Sequence, residues 1–132
     1  MPRNIKKQVS ETSHQISVIQ WTQQPEIRSK WPELKLLHHI PNERICTPQQ
    51  GKTLKMMGLR RGVPDLCLPV ARGPYHGLYI EMKAEHGKTS IEQDWWGEQL
   101  TAQGYLYTVC KGNQAAILAL KRYMSMEVPS HV

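Results

Sequence analysis

Two apolar runs with strand-like composition lie near the middle of the chain, within residues 62–83, and a Gly- and Pro-rich connection joins them. This spacing predicts a β-hairpin with a loop longer than the tightest turns. Asp65 begins the first run, and Glu81 and Lys83 end the second. Strand residues two apart share a face, so Glu81 and Lys83 project together while Met82 points the other way. Antiparallel pairing would therefore bring all three charges to one end of the hairpin.

Helical patterns stand on both sides of this hairpin. Ser10 is a candidate N-cap for the first helix, and Thr47 followed by proline begins the second. Ser90 and Gln93 fit a capping box at the start of the third helix, which Gly104 closes. The predicted helices span residues 11–21, 49–57, 91–103 and 114–124.

The remaining segments predict two more strands and the connections around them. Residues 34–40 read as a first strand and residues 105–110 as the last strand, whereas residues 25–32 read as a connection. At 132 residues the chain is long enough for one domain with a substantial core. Outside that domain we expect a basic flexible arm at residues 1–8 and a flexible tail at residues 125–132.

Composition narrows the class of protein. A hydrophobic content of 39% with a mean hydropathy of −0.53 is typical of a soluble globular protein. The sequence contains no apolar run of membrane-spanning length and no signal-peptide core, so it predicts a cytoplasmic, nucleoid-associated location. Three cysteines without a CxxC pair argue against a disulfide framework, and buried free thiols are expected at Cys67 and Cys110. A net charge of +6 and a pI near 9.4 favour a polyanionic partner.

The pattern Pro-Asp…Glu-x-Lys, formed by Asp65, Glu81 and Lys83, resembles the PD-(D/E)xK nuclease superfamily. The glycines before it (Gly58 and Gly62) and the Gln-bearing helix after it make the chain similar to the VRR-NUC branch, over residues 9–124. The resemblance implies an α/β fold with a restriction-endonuclease-like core, in which helices flank a mixed β-sheet in the order αβββαβ. It also implies a small stand-alone enzyme of phage or bacterial type.

The resemblance further implies a site for Mg²⁺ or Mn²⁺. Asp65, Glu81 and the Met82 carbonyl would hold the metal, because hard cations prefer oxygen ligands. Lys83 would orient the attacking water or stabilise the transition state. The family places a Glu of the first helix near the metal, with a Gln one turn later. Those roles fall on Glu11 and, less firmly, on Gln15.

Several of these assignments have competing interpretations. An acid in the first turn of a helix, such as Glu11, is also favoured by the helix dipole. Gln93 would order a water or a metal-bound phosphate, or would serve as a cap alone. Glu26 and Glu33 are rival carboxylates that fit solvated loops better. Asn42 is expected to position a loop, and Glu43 is a further unassigned acid. The expected DNA contacts are Lys52, Lys55, Arg60, Arg61 and Lys88. For Lys52 and Lys55, a solvated basic surface would be an equally good explanation.

Four functions remain in competition at this stage. The leading one is a Mg²⁺-dependent, structure-selective DNA endonuclease, a homodimeric Holliday-junction (four-way junction) resolvase. A flap or general DNA nuclease with the same fold is the second, and a non-catalytic nucleic-acid-binding module is the third. The last is a structural metal protein, although its candidate ligands lack zinc spacing. Those ligands are His38, His39, Cys46, Cys67 and His76.

Overall fold

The computed structural model of the chain describes residues 3–41 and 47–130, which form five α-helices, a 3₁₀ helix and four strands. The first half contains α1 (Arg3–Thr22), α2 (Pro25–Lys30), the 3₁₀ helix (Pro32–Leu36), β1 (His38–His39) and α3 (Pro48–Met56). The second half contains β2 (Leu66–Leu68), β3 (Leu78–Lys83), α4 (Ile91–Ala102), β4 (Leu106–Lys111) and α5 (Asn113–Met124).

The four strands form one mixed sheet in the order β1–β2–β3–β4. β1 pairs with β2, and β2 with β3, in antiparallel fashion, whereas β3 and β4 are parallel. Parallel neighbours need a crossover connection, which α4 supplies. The α/β fold, the central hairpin and the order αβββαβ are therefore confirmed, with α2, α3 and α5 added to that core.

The two faces of β3 have different partners. Ile80 and Met82 are almost completely buried on one face, in a core that also contains Val18 of α1 and Leu120 of α5. α4 packs against the other face, where Gly97 lies directly on the ring of Tyr107 in β4. The sheet thus separates a large apolar core from the face that carries Glu81 and Lys83.

The start of the chain differs from the sequence prediction. α1 begins at Arg3, so Ser10 lies inside the helix and is not its N-cap, and most of the predicted arm is helical. The predicted connection at residues 25–32 contains α2, and the predicted strand at residues 34–40 is reduced to β1 by the preceding 3₁₀ helix. Pro25 and Pro32 begin these two short helices, where a missing N–H costs nothing.

The predicted flexible tail also begins with ordered contacts. Met126 packs against the core, and the carbonyl of Glu127 accepts a hydrogen bond of 2.7 Å from the Gly73 amide. The other helix ends agree closely with the sequence: Thr47 and Ser90 each form a capping box, and Gly104 has φ +90°. Asn42, Glu43 and Cys46 lie outside the described residues.

Side-chain burial confirms one expectation. Cys67 and Cys110 are buried free thiols. Ile91 begins α4 as an apolar side chain that is 86% exposed. Within residues 3–41 and 47–130, no helix combines the length and the apolar character needed to cross a bilayer.

Candidate active site

The hairpin places Asp65 directly opposite Glu81. Leu66 pairs with Ile80, so one further step of antiparallel register brings these two acids together on one face. Asp65 is held through its Oδ2, which accepts a hydrogen bond of 2.8 Å from the Met82 amide. Its carbonyl oxygen accepts a second bond, also 2.8 Å, from the Ile40 amide at the end of β1. The position of this carboxylate is therefore fixed from both neighbouring strands.

Glu81 is a buried carboxylate with one satisfied oxygen. Glu81 as a whole is 2% exposed to solvent. Oε1 accepts a hydrogen bond of 2.8 Å from Gln93 Nε2 and lies 4.0 Å from Lys83 Nζ. Oε2 is buried and has no hydrogen-bond partner. A buried polar atom without a partner is costly, and it calls for an explanation in terms of a ligand or a function.

The two facing carboxyl groups perturb each other's protonation. Burial raises the pKa of Glu81 well above its ordinary value, and the nearby Asp65 raises it further, while Lys83 acts in the opposite direction. Burial also raises the pKa of Asp65, although the hydrogen bond from the Met82 amide lowers it in part. Without a cation between them, the two carboxyl groups therefore retain a proton that ordinary exposed acids would release.

Gln93 connects Glu81 to the beginning of α4 through a single amide group. Its Oε1 accepts a hydrogen bond of 2.8 Å from the Ser90 amide, as part of the capping box, and its Nε2 donates to Glu81. The cap therefore leaves the NH₂ end of the amide facing the carboxylate. The capping role expected from the sequence is confirmed, and it coexists with a contact to the site.

This dual contact predicts different outcomes for two variants. Gln93→Ala and Ser90→Ala should each lower the free energy of unfolding by about 0.5–2 kcal/mol, because each removes part of the cap. Only Gln93→Ala also removes the hydrogen bond to Glu81, so it should lower any activity of this cleft by about 10–100-fold, as loss of a partner that orients a site residue typically does. Thermal unfolding and activity measured on both variants check this, and equal losses of activity would contradict it.

A cleft of about 820 Å³ opens over these carboxylates between α1, β3 and the start of α4. Glu11 and Gln15 line it from α1, as the sequence predicts, and the charge of Glu11 adds to the raised pKa of Glu81. The full lining is Glu11, Thr12, Gln15, His39, Arg61, Gly62, Asp65, Glu81, Met82, Lys83, Lys88, Ser90, Glu92 and Gln93.

The expected DNA contacts are only partly at this cleft. Arg61 and Lys88 line it, whereas Lys52, Lys55 and Arg60 are exposed outside its lining. Arg60 donates weakly to the Lys55 and Leu59 carbonyls, at 3.4 and 3.3 Å, which turns its side chain back over the end of α3. The basic surface therefore extends from the cleft along α3.

Gly62 follows the basic residues Arg60 and Arg61 and lies in close contact with the start of α4. It has φ +90°, and a Cβ built on it would lie 2.6 Å from the main-chain carbonyl carbon of Glu92. Only glycine fits such a conformation and such a close approach. The backbone that comes close to Gly62 is that of Glu92. The glycine thus fixes the path that leads to Asp65.

Met82 lines the cleft although its side chain is buried on the opposite face of the sheet, so its main chain is the part that faces the site. Within the described ranges, no three His, Cys, Asp or Glu side chains form a preassembled metal cluster. This holds for His38, His39, Cys67 and His76, and equally for Glu11, Asp65 and Glu81.

His39 is a site residue that sequence reasoning placed only in the rejected zinc alternative. Its Nδ1 lies 2.8 Å from the Asp65 carbonyl, and its charge lowers the pKa of the Asp65 carboxyl. Thr12 and Glu92 also line the cleft without having been singled out. His39 could have been identified as a site residue only from the pairing of β1 with β2, in which it faces Leu66. That pairing joins distant parts of the chain, and a strand of two residues has no sequence periodicity that would predict it.

Comparison with known proteins agrees with this architecture. The VRR-NUC domain family matches residues 9–114, most of the chain. A solved structure described as a VRR_NUC domain protein superposes with a TM-score of 0.76 at 29% identity, covering 90% of this chain and 91% of that one. A search of curated proteins found no match. With its mixed sheet, its facing carboxylates and this match, the chain belongs to the VRR-NUC family of nuclease-type domains.

Proposed function

We propose that the chain is a Mg²⁺-dependent DNA endonuclease whose reaction centre is formed by Asp65, Glu81 and Lys83. The observation that carries this proposal is the buried Glu81, which faces a second carboxylate and has an unpartnered oxygen. A non-catalytic surface cluster would leave these charges in water, where they cost nothing. Two acids buried side by side are instead costly as a pair of anions, and either a retained proton or a bound cation relieves that cost.

The donor atoms suit Mg²⁺ or Mn²⁺. Asp65 and Glu81 supply carboxylate oxygens, and the Met82 main chain faces the same cleft, so water would complete the coordination that Mg²⁺ usually keeps. Glu11 at the rim is the candidate ligand for a second ion. When bound, the metal lowers the pKa of a water molecule and neutralises charge on the phosphate.

The protein's own residues prepare the site around that ion. Lys83 is 8% exposed and shares the face of Glu81, so its ammonium group is held where charge develops on the phosphate. Gln93 fixes the orientation of Glu81 by donating to Oε1. His39 and the Ile40 amide hold the backbone of Asp65. These contacts keep the carboxylates in place before substrate arrives.

Phosphate binding by the basic segment predicts a change in salt dependence. The combined change Arg60→Ala and Arg61→Ala should weaken DNA binding for all sequences, because phosphate contacts carry no base information. The slope of log K against log salt should become less negative by about 1–2, since each lost phosphate contact contributes about 0.9. Fluorescence anisotropy titrations over a range of salt measure this, and an unchanged slope would remove both arginines from the DNA contact surface.

For the substrate, we propose branched DNA, a four-way junction cut by a homodimer in the cytoplasm. The basic residues at the cleft and along α3 would contact phosphates, which position a nuclease on branched DNA without reading its bases. Two sites related by a two-fold axis would suit paired nicks in opposite strands. A flap or general nuclease would use the same reaction centre without that symmetry.

The test compares labelled four-way junction, flap, duplex and single-stranded DNA, each with Mg²⁺, with Mn²⁺ and with chelator. We expect metal-dependent, symmetric nicking of the junction, together with a dimer in light scattering. Equal cutting of every DNA would favour a general nuclease. Binding without cutting under all metal conditions would instead favour the non-catalytic module.

A further inference from the structure

The helix α3 stands apart from the rest of the fold. It buries none of its residues, and no other helix or strand in the described ranges packs extensively against it. Its ends are nevertheless well made. Thr47 and a glutamine form a capping box at the start, and at the end Gly58, with φ +107°, donates to the Lys55 carbonyl while Leu59 donates to the Leu54 carbonyl.

These two terminal bonds form a Schellman motif, which closes the helix without tertiary support. A nine-residue helix is marginal in water by itself. A helix that is capped at both ends, and that makes no extensive contact with another described element, leaves most of its surface available to an external partner.

The end of α3 carries an exposed apolar pair. Met56 is 79% exposed and Met57 is 78% exposed; we call these two residues the methionine tip. Methionine is unbranched and flexible, so it fits irregular apolar surfaces better than other aliphatic side chains. Two adjacent, solvated methionines contribute nothing to the core of this protein, which favours a contact function.

The charge around the methionine tip identifies the chemistry of its partner. Residues 47–64 contain four basic residues and no acidic one. Lys52 lies one helical turn before Met56 on the same face of α3. Lys55, three residues after Lys52, is the neighbour of Lys52 on that face. Arg60 and Arg61 follow directly after the helix. An apolar tip surrounded by cations is complementary to stacked bases between phosphate strands.

The path of the chain places this partner at the active cleft. Arg61 and Gly62 line the cleft, only a few residues after the methionine tip. DNA held over Asp65 and Glu81 would therefore pass beside α3. An anionic membrane would also attract basic and apolar groups. However, a bilayer gives no reason to join them to a carboxylate cleft, and DNA does.

We propose that the methionine tip inserts between bases of the DNA at a branch point or break, while Lys52, Lys55 and Arg60 contact the flanking phosphates. This inference rests on the proposed function in taking DNA as the substrate. Opening a continuous stack costs unstacking energy, and the cost is least where stacking is already interrupted. The tip therefore selects branched over continuous DNA.

The experiment measures binding in chelator, so that no cleavage occurs. The variant Met56→Ala with Met57→Ala should bind a four-way junction about tenfold more weakly than the unchanged protein, because the apolar wedge loses most of the surface that it buries against the bases. Its affinity for continuous duplex of the same sequence should stay within about twofold, because the phosphate contacts remain. Leu118→Ala, which removes an exposed apolar side chain from α5, is the matched control and should change neither affinity.

A fluorescent base tests insertion itself. 2-Aminopurine at the junction centre should brighten when the unchanged protein binds, because unstacking relieves its quenching, and the double variant should abolish that rise. Equal weakening on both DNAs, no weakening on either, or no junction preference in the unchanged protein would each overturn the proposal. Selective loss of binding to anionic vesicles, with DNA binding intact, would overturn it in favour of a membrane contact.

These outcomes are separate from those of the proposed function. Junction-selective binding with the fluorescence rise, but without cutting in Mg²⁺, would contradict the endonuclease and leave the methionine tip supported. Cutting of the junction with no effect of the double variant would contradict the tip alone.

Discussion

Asp65→Ala is expected to abolish DNA cleavage, with a loss on the order of 10³-fold or more, because it removes one of the two carboxylates that face each other over the cleft. The substitution removes the hydrogen bond from the Met82 amide but no apolar core contact, and the main-chain bond to Ile40 remains. Folding and DNA binding should therefore be largely intact. Cleavage of a labelled junction, binding by anisotropy and thermal unfolding together measure these three quantities.

Lys83→Ala provides the contrast that separates metal binding from chemistry. It should also lose cleavage, by about 10²–10³-fold, because it removes the cation beside the phosphate. Unlike Asp65→Ala, it should retain Mg²⁺ binding in calorimetry, since Lys83 is not a ligand. Wild-type cleavage rates in Asp65→Ala and in a Glu81→Ala variant would show that the site has been assigned to the wrong residues.

Glu81→Gln is expected to stabilise the metal-free protein while removing its response to Mg²⁺. The amide keeps the acceptor for Gln93 and offers a donor to Asp65 without the proton that the buried carboxyl pair must retain near neutral pH. The gain in free energy of unfolding near neutral pH should be about 1–3 kcal/mol. Thermal unfolding in chelator measures this gain. Added Mg²⁺ should raise the Tm of the unchanged protein only.

The direction of the pH dependence follows from the raised pKa of Glu81. Between the ordinary pKa of a glutamate and the raised value, the folded state retains a proton that the unfolded state has lost. The free energy of unfolding of the metal-free protein should therefore fall as pH rises through this range. Glu81→Gln should flatten that fall, whereas Glu98→Gln, at an exposed site on α4, should leave it unchanged. Parallel pH profiles for all three proteins would contradict the assignment of the buried acid.

The elements that the sequence predicts correctly are those with local signals. The hairpin follows from two apolar runs, and the register of Leu66 with Ile80 brings together charges that the pattern had already placed at one end. The starts of α3 and α4 were predicted from their capping residues, because a cap is a hydrogen bond between residues that are close in the sequence. The meeting of Asp65 and Glu81 at one end of the hairpin was therefore predictable from alternation together with antiparallel pairing of the two runs.

The parts that the sequence predicts poorly depend on distant contacts. Pro25 and Pro32 begin two short helices that contact each other, and α2 also contacts α1, but an isolated proline is equally typical of a connection. His39 reaches Asp65 only through β1, a strand of two residues with no periodicity to detect. The burial of Glu81, which raises its pKa, comes from the sheet and α4 together. Packing of that kind has no local sequence signal.

The most direct test of the central claim is cleavage of a labelled four-way junction by the purified chain, with Mg²⁺ and with chelator, beside Glu81→Gln under the same conditions. We expect nicking by the unchanged protein with Mg²⁺, none with chelator, and none by Glu81→Gln with either. Cleavage by Glu81→Gln at the rate of the unchanged protein, or cleavage that persists in chelator, would contradict a metal-dependent reaction centre built on Asp65 and Glu81.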